Sequence, residues 1–415
     1  MPDPGPSTSA AARPLTDQRP VLFVTGHAPP SRLAPFGELH AREDVVVALF
    51  GGRAIHAMAG AEHLPFPHMR PSQRAVGRLA ASGDFRAVVC GTGGRLALPA
   101  AYAGARRAGV PFVLWASIWA HPRSLAGAAG YLPLRHVYRH ADAVATYGPH
   151  VSSYVRAKGA RNVHEAPQAV DNERWSSAAA APARLAPFQI LFVGRASREK
   201  GVQVLSRAWH ASGLAAPHAA LVLVGGGPDR SRAVATSAVH SGEAAAGAAE
   251  AAAGGSANDE RQAAAGGSAD DDRPAAAPAS GIVAVGEVGA QELRNFYAGS
   301  NVVAIPSVPT ATIRETWSLV ANEAMNQSIP VIASDAVGAA AGGLVRHERN
   351  GLVVPAGDAA ALARALRRLH DQPDLRRRLG AAARIDVEPY TAQAWAAGVS
   401  RALATVGASR AGLVP

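Results

Sequence analysis

The 415 residues carry a formal net charge of +10 and one cysteine, Cys90, which excludes an internal disulfide and makes a reducing cytoplasm the expected setting. Hydrophobic residues reach 48% but aromatics only 5%, a balance suited to α/β cores of Val, Leu, Ile and Ala, and the length fits two domains rather than one. No run of about 18 uncharged apolar residues occurs, so no membrane-spanning helix is expected; with no zinc-type cysteine pattern and scattered basic residues, nucleic acid is not an expected partner either.

The first residues, 1–19, are rich in Pro, Ser and Ala without an apolar core, and read as a disordered leader rather than a signal peptide. A first series of short β-branched runs then begins: Val21 to Gly26, Val45 to Phe50, Ala87 to Gly91, Pro111 to Ser117 and Asp142 to Gly148, separated by Ala/Arg/Leu-rich stretches of helical character. Strands alternating with helices imply a parallel, doubly wound sheet, placed at 20–165. An Ala/Pro-rich linker is expected over 166–187.

A second series follows at Gln189 to Arg195, Leu221 to Gly227, Ile282 to Val288, Asn301 to Ser307, Pro330 to Ser334 and Gly351 to Pro355, giving a second domain over 188–388. Inside it, residues 229–280 carry the near-repeats AAAGGSAND and AAAGGSADD, whose composition buries too little apolar surface to order itself; a disordered insertion is expected there. The acidic run Asp270 to Asp272 falls in that tract and is not read as a metal site. Tyr390, Trp395, Val399 and Leu403 then share one stripe of a terminal helix within 389–415.

Chemistry concentrates in the second domain. Gly194 and Arg195 form a turn directly after a strand, and Glu199-Lys200-Gly201 leads into a helix. Ligands of open α/β sheets bind at the carboxyl ends of strands, so Arg195 and Lys200 are placed to converge on a diphosphate. Downstream, Glu315 precedes a helix expected from about Ser318 to Gln327, with Thr316 and Ser318 as candidate N-caps and Glu323 inside it. The N-terminus of such a helix favours phosphate, and a carboxylate such as Glu323 is a natural acceptor for the two vicinal hydroxyls of a ribose.

FVGRASREKG (Phe192 to Gly201) followed by RETWSLVANEAMNQSIPVIASD (Arg314 to Asp335) resembles the donor-site signature of the retaining family 4 glycosyltransferases. The resemblance covers most of Gln189 to Leu369 and extends to GLVVPAGDAAALARAL, where Asp358 is the expected N-cap. It implies the GT-B fold, two Rossmann-like domains facing across a cleft. By position it also implies that Arg195 and Lys200 hold the donor diphosphate, Glu323 binds the ribose and Glu315 contacts the sugar. Backbone groups of Thr316, Trp317, Ser318 and Leu319 would cradle sugar and phosphate. The family often has Phe-Gly where this chain has Trp317-Ser318, and Pro-Asn-Gly-Val-Asp where this chain has Pro167-Gln168-Ala169-Val170-Asp171.

In the first domain Gly26, after the first strand, is a candidate for close backbone approach to the diphosphate. His121 is the candidate for contact near the reacting sugar, and His27 and Arg32 are candidates for acceptor binding. The implied activity is transfer of a sugar from a nucleoside diphosphate to an acceptor hydroxyl with retention, in glycan, glycolipid or cell-surface polysaccharide synthesis. No metal and no cofactor are expected, since cationic side chains and a helix N-terminus take the metal's role. The acceptor is expected to be a glycan or lipid-linked, and the basic charge leaves room for peripheral contact with an anionic membrane at the inner face. A sugar-nucleotide epimerase, a sugar-phosphate synthase, or a non-catalytic nucleotide-sugar-binding scaffold are the competing readings. A NAD-dependent dehydrogenase is discounted because no G-x-G-x-x-G follows a first strand.

Overall fold

The computed structural model describes residues 17–51, 64–229 and 280–410. The expected insertion and most of the expected leader lie outside the described residues. Two compact units are present: Met1–Asp171 with Tyr390–Pro415, and Asn172–Pro389.

The first unit holds a seven-stranded, wholly parallel sheet of order β3-β2-β1-β4-β5-β6-β7. Its strands are β1 (Val21–Thr25), β2 (Val45–Leu49), β3 (His68–Met69), β4 (Ala87–Gly91), β5 (Phe112–Ala116), β6 (Ala143–Thr146) and β7 (Val163–Glu165). Each inner strand is apolar on both faces because helices cover both sides. Thus Leu22 and Val24 enter one core while Val21 and Phe23 enter the other. The second core is an aromatic cluster in which Phe23, Phe36 and Trp115 meet Trp395 at centroid distances of 5.5–6.1 Å. Trp395 belongs to the helix Ala392–Ala404, capped by the Thr391 hydroxyl, which accepts from the Ala394 amide. Trp395, Val399 and Leu403 are fully buried there, so the stripe read from sequence packs this terminal helix onto the first sheet.

The second unit holds a six-stranded parallel sheet of order β10-β9-β8-β11-β12-β13. The strands are β8 (Phe188–Val193), β9 (Ala219–Val224), β10 (Ile282–Gly286), β11 (Val302–Ile305), β12 (Val331–Ser334) and β13 (Gly351–Val354). Residues 177–187, expected as linker, are tied to this unit: Arg294 Nη2 donates to the Ser177 and Ala178 carbonyls at 2.9 Å, and Gln189 Nε2 to the Ala183 carbonyl at 2.9 Å. Asp358 caps the helix Ala359–Asp371 by accepting from the Ala361 amide.

Strand order reverses between β1 and β4 in the first sheet and between β8 and β11 in the second. At such a switch point the connections leave toward opposite faces, opening a crevice at the carboxyl ends of the strands. The loops after β8 and β11 therefore form the crevice of the second unit.

Candidate functional site

The loop after β8 runs through Gly194 and Arg195 to the 3-10 turn Arg198–Lys200. The loop after β11 runs from Pro306 to Ser318. They are joined by backbone: the Val308 amide donates to the Glu199 carbonyl at 2.9 Å. Gly201 makes that closeness possible, since its φ is +72° and a Cβ there would lie 1.9 Å from the Pro306 carbonyl oxygen. A second tight crossing holds the far end of the loop, where a Cβ on Gly338 would lie 2.0 Å from the Thr316 carbonyl oxygen and the Gly338 amide donates to the Glu315 carbonyl.

These crossings bring Lys200 and Glu315 together across 115 residues of chain. Lys200 Nζ donates to Glu315 Oε1 at 2.8 Å and to Oε2 at 2.6 Å, and the Ser307 hydroxyl donates to Oε2 at 3.0 Å. The pair is reachable, with side-chain exposures of 30% and 14%, so a ligand can exchange with it. Arg195 is not drawn into this cluster. Its side chain is 65% exposed and pairs with Glu199 at 2.9 Å, an ion pair that solvent screens. Arg195 and Lys200 thus each carry a carboxylate partner.

The helix expected after Glu315 is Leu319–Asn326, two residues shorter than read from sequence. Ser318 does not serve as the expected side-chain cap. Ser318 stands at the N-cap position with φ +86° and ψ +96°, and its hydroxyl makes no capping bond. A left-handed backbone turns a side chain away from the geometry of a capping serine, which is extended. The helix has no acidic residue in its first turn to offset the positive end of its dipole. Trp317 is 2% exposed and its indole N–H donates to Asn322 Oδ1 at 2.8 Å. It therefore supports the loop from beneath, and its carbonyl accepts from the Ala339 amide at 2.8 Å. Thr316 and Leu319 are half-buried.

Glu323 is half-buried on this helix, and burial pushes its carboxyl up to about 7, against the opposing pull of a hydrogen bond from Tyr297. Tyr297, fully buried in the helix Ala290–Gly299, donates its hydroxyl to Glu323 Oε2 at 2.7 Å. Trp175 packs its ring edge on at 5.4 Å. Sequence reading missed Tyr297, because an isolated aromatic in an amphipathic helix looks like core. Ser307 was likewise read only as the end of a strand.

In the first unit the candidates are separate. Gly26 has room for a side chain, since a Cβ would meet only Phe50 at 3.8 Å; the close approach belongs to Gly51, whose Cβ would lie 2.4 Å from the Gly26 carbonyl oxygen. His27 is exposed. His121 Nε2 donates to the Gly127 carbonyl at 2.7 Å and its ring stacks edge-on against Tyr131, which ties the loop after β5 to the following helix. Arg32 is 8% exposed. It lies over the rings of Trp115 and Tyr147 and donates to Gln168 Oε1, joining the ends of β1, β5, β6 and β7.

Residues 248–372 match the family model described as glycosyl transferases group 1, of which 280–372 lie among the described residues. A D-inositol 3-phosphate glycosyltransferase of Streptomyces scabiei is 38% identical over 106 residues, 25% of this chain and 22% of that protein. The chain thus spans about a fifth of the length of the curated relatives it matches. Among solved structures, Anabaena Alr3699/HepE in complex with UDP superposes with a TM-score of 0.65 at 16% identity, covering 93% of this chain and 100% of that one. Sucrose-phosphate synthase from Thermosynechococcus elongatus gives 0.64 at 18%, covering 92% and 98%. At such identities these two show the fold. The chain has the GT-B fold, and residues 248–372 are similar to the group 1 glycosyltransferases.

Proposed function

We propose that this chain transfers a sugar from a nucleoside-diphosphate donor to an acceptor hydroxyl, with the donor held by the second unit. The observation that carries the reading is the meeting of Lys200 and Glu315 at the β8/β11 switch point, beside the N-terminus of the helix Leu319–Asn326. A diphosphate entering there exchanges the Lys200 ammonium from Glu315 to its own oxygens, freeing that carboxylate for sugar hydroxyls. Glu323, one helix turn further, accepts from the ribose.

As the glycosidic bond breaks, negative charge grows on the leaving diphosphate. Lys200 and the helix N-terminus stabilise that charge where it develops, and one such preorganised donor is worth roughly 3–4 kcal/mol. Arg195 swings from Glu199 to join them at little cost, because its pair is exposed. The acceptor's proton passes to the departing phosphate. Retention of configuration and independence of metal belong to the same proposal, and so does an acceptor that is a glycan or lipid-linked.

The test is thermal unfolding with UDP, GDP and ADP, in EDTA, for the wild type and Glu323→Ala. A nucleotide at about 100 times its dissociation constant adds roughly 2.7 kcal/mol to the stability of the unit that binds it. One nucleotide family is expected to stabilise the wild type and not the variant. No stabilisation by any of them would overturn the donor site, and transfer activity abolished by EDTA would overturn the metal-free mechanism.

A further inference from the structure

The helix Leu125–His140, which follows β5 in the first unit, turns its two faces to different surroundings. Leu134, Val137 and Tyr138 point inward and join the core beneath it. On the opposite face Leu125, Ala128, Ala129 and Leu132 form one stripe, at positions i, i+3, i+4 and i+7, and are all exposed, Leu125 at 93% and Leu132 at 69%. Two of the five large apolar side chains exposed among the described residues thus stand on one stripe of one helix. The same stripe continues into His136, Arg139 and His140, and Arg123 is exposed just before the helix begins. The chain contains no acidic residue between Asp84 and Asp142, so nothing on this helix or the loop before it offsets Arg123 and Arg139. Lys158, whose ammonium lies 5.2 Å from the Tyr131 ring centroid, adds a further cation beside the helix.

We propose that this face docks the protein on an anionic bilayer surface. Exposed leucines on the first half of the helix enter the boundary between headgroups and acyl chains, while Arg123, Arg139 and Lys158 sit among the anionic headgroups. Apolar area and electrostatic attraction together set the strength of such interfacial helices, and neither alone suffices for stable binding. Among the described residues no helix is long and apolar enough to cross a membrane, so attachment by this face is peripheral. The inference is independent of the Lys200, Glu315 and Glu323 cluster, which lies in the second unit.

Sedimentation of the full chain with vesicles tests it. The wild type is expected to sediment with phosphatidylcholine vesicles containing phosphatidylglycerol and to remain in solution with pure phosphatidylcholine. Leu125→Ser with Leu132→Ser, both solvent-facing and so compatible with folding, weakens the partition by at least about tenfold. Arg123→Glu with Arg139→Glu does the same at low salt, and raised salt weakens the wild type in parallel. Circular dichroism confirms that each variant is folded. Binding to neither vesicle, or binding undiminished in both double variants, overturns the proposal. So does a concentration-dependent dimer in analytical ultracentrifugation that the leucine variant abolishes, because a second copy would then cover the face.

Discussion

Ser318 invites a substitution whose sign follows from backbone geometry alone. A non-glycine residue in a sparsely populated region of this kind costs roughly 1–3 kcal/mol. At φ +86° and ψ +96° Ser318 bears such a cost, and its hydroxyl returns no capping bond. Ser318→Gly removes the strain but enlarges the freedom of the unfolded chain, which costs about 0.5–1 kcal/mol. The net expectation is a gain of roughly 0.5–2 kcal/mol. Ser318→Ala keeps the Cβ and therefore the strain, and is expected within about 0.5 kcal/mol of the wild type. Urea unfolding reads the difference as a shift in midpoint at constant slope, with the transition of the second unit identified by its response to nucleotide. A glycine variant no more stable than the alanine variant would refute the assignment of strain to this position. Strain kept at the mouth of a ligand loop is itself a mark of a functional position, so nucleotide affinity in both variants should be measured alongside.

Four further outcomes are expected. Because the folded protein holds the Glu323 proton more tightly than the unfolded chain does, the stability linked to it is complete below the ordinary value of 4.5 and is lost as pH rises through about 7; Glu323→Gln should flatten that slope in unfolding curves taken from pH 4.5 to 8. Nucleotide affinity, measured by calorimetry, should rise over the same interval as the carboxylate forms, and Tyr297→Phe should displace the midpoint. Lys200→Met takes the ammonium away from the Glu315 carboxylate, which keeps the Ser307 hydroxyl, and removes charge stabilisation of the leaving group, so kcat should fall by roughly 100-fold; an unchanged kcat would remove Lys200 from the mechanism. Trp395→Ala empties the centre of the aromatic cluster under the first sheet and should destabilise that unit by about 3–5 kcal/mol in denaturant, while nucleotide still stabilises the second unit.

What the sequence by itself determined is what local patterning can encode. Short β-branched runs marked β1, β2, β4, β5 and β6 and every strand of the second sheet, because a strand buried on both faces must be apolar throughout. The edge strands β3 and β7 escaped: a two-residue His68–Met69 strand and a half-exposed Val163–Glu165 strand carry no such run. The order of Lys200, Glu315 and Glu323 was legible from motif spacing. That Lys200 and Glu315 touch was decided only by tertiary structure, since strand order in the second sheet sets their two loops side by side and Gly201 lets the backbones approach. Tyr297 reached Glu323 the same way, from a helix whose sequence shows only an apolar face. His121 and Arg32 make the converse point. Their residue types suited a ligand, yet packing gave His121 a backbone carbonyl and Arg32 two aromatic rings and a glutamine. Spacing along a chain specifies which side chains are available to a site; the partners each one meets depend on loops that lie far apart in sequence and close together at the ends of parallel strands.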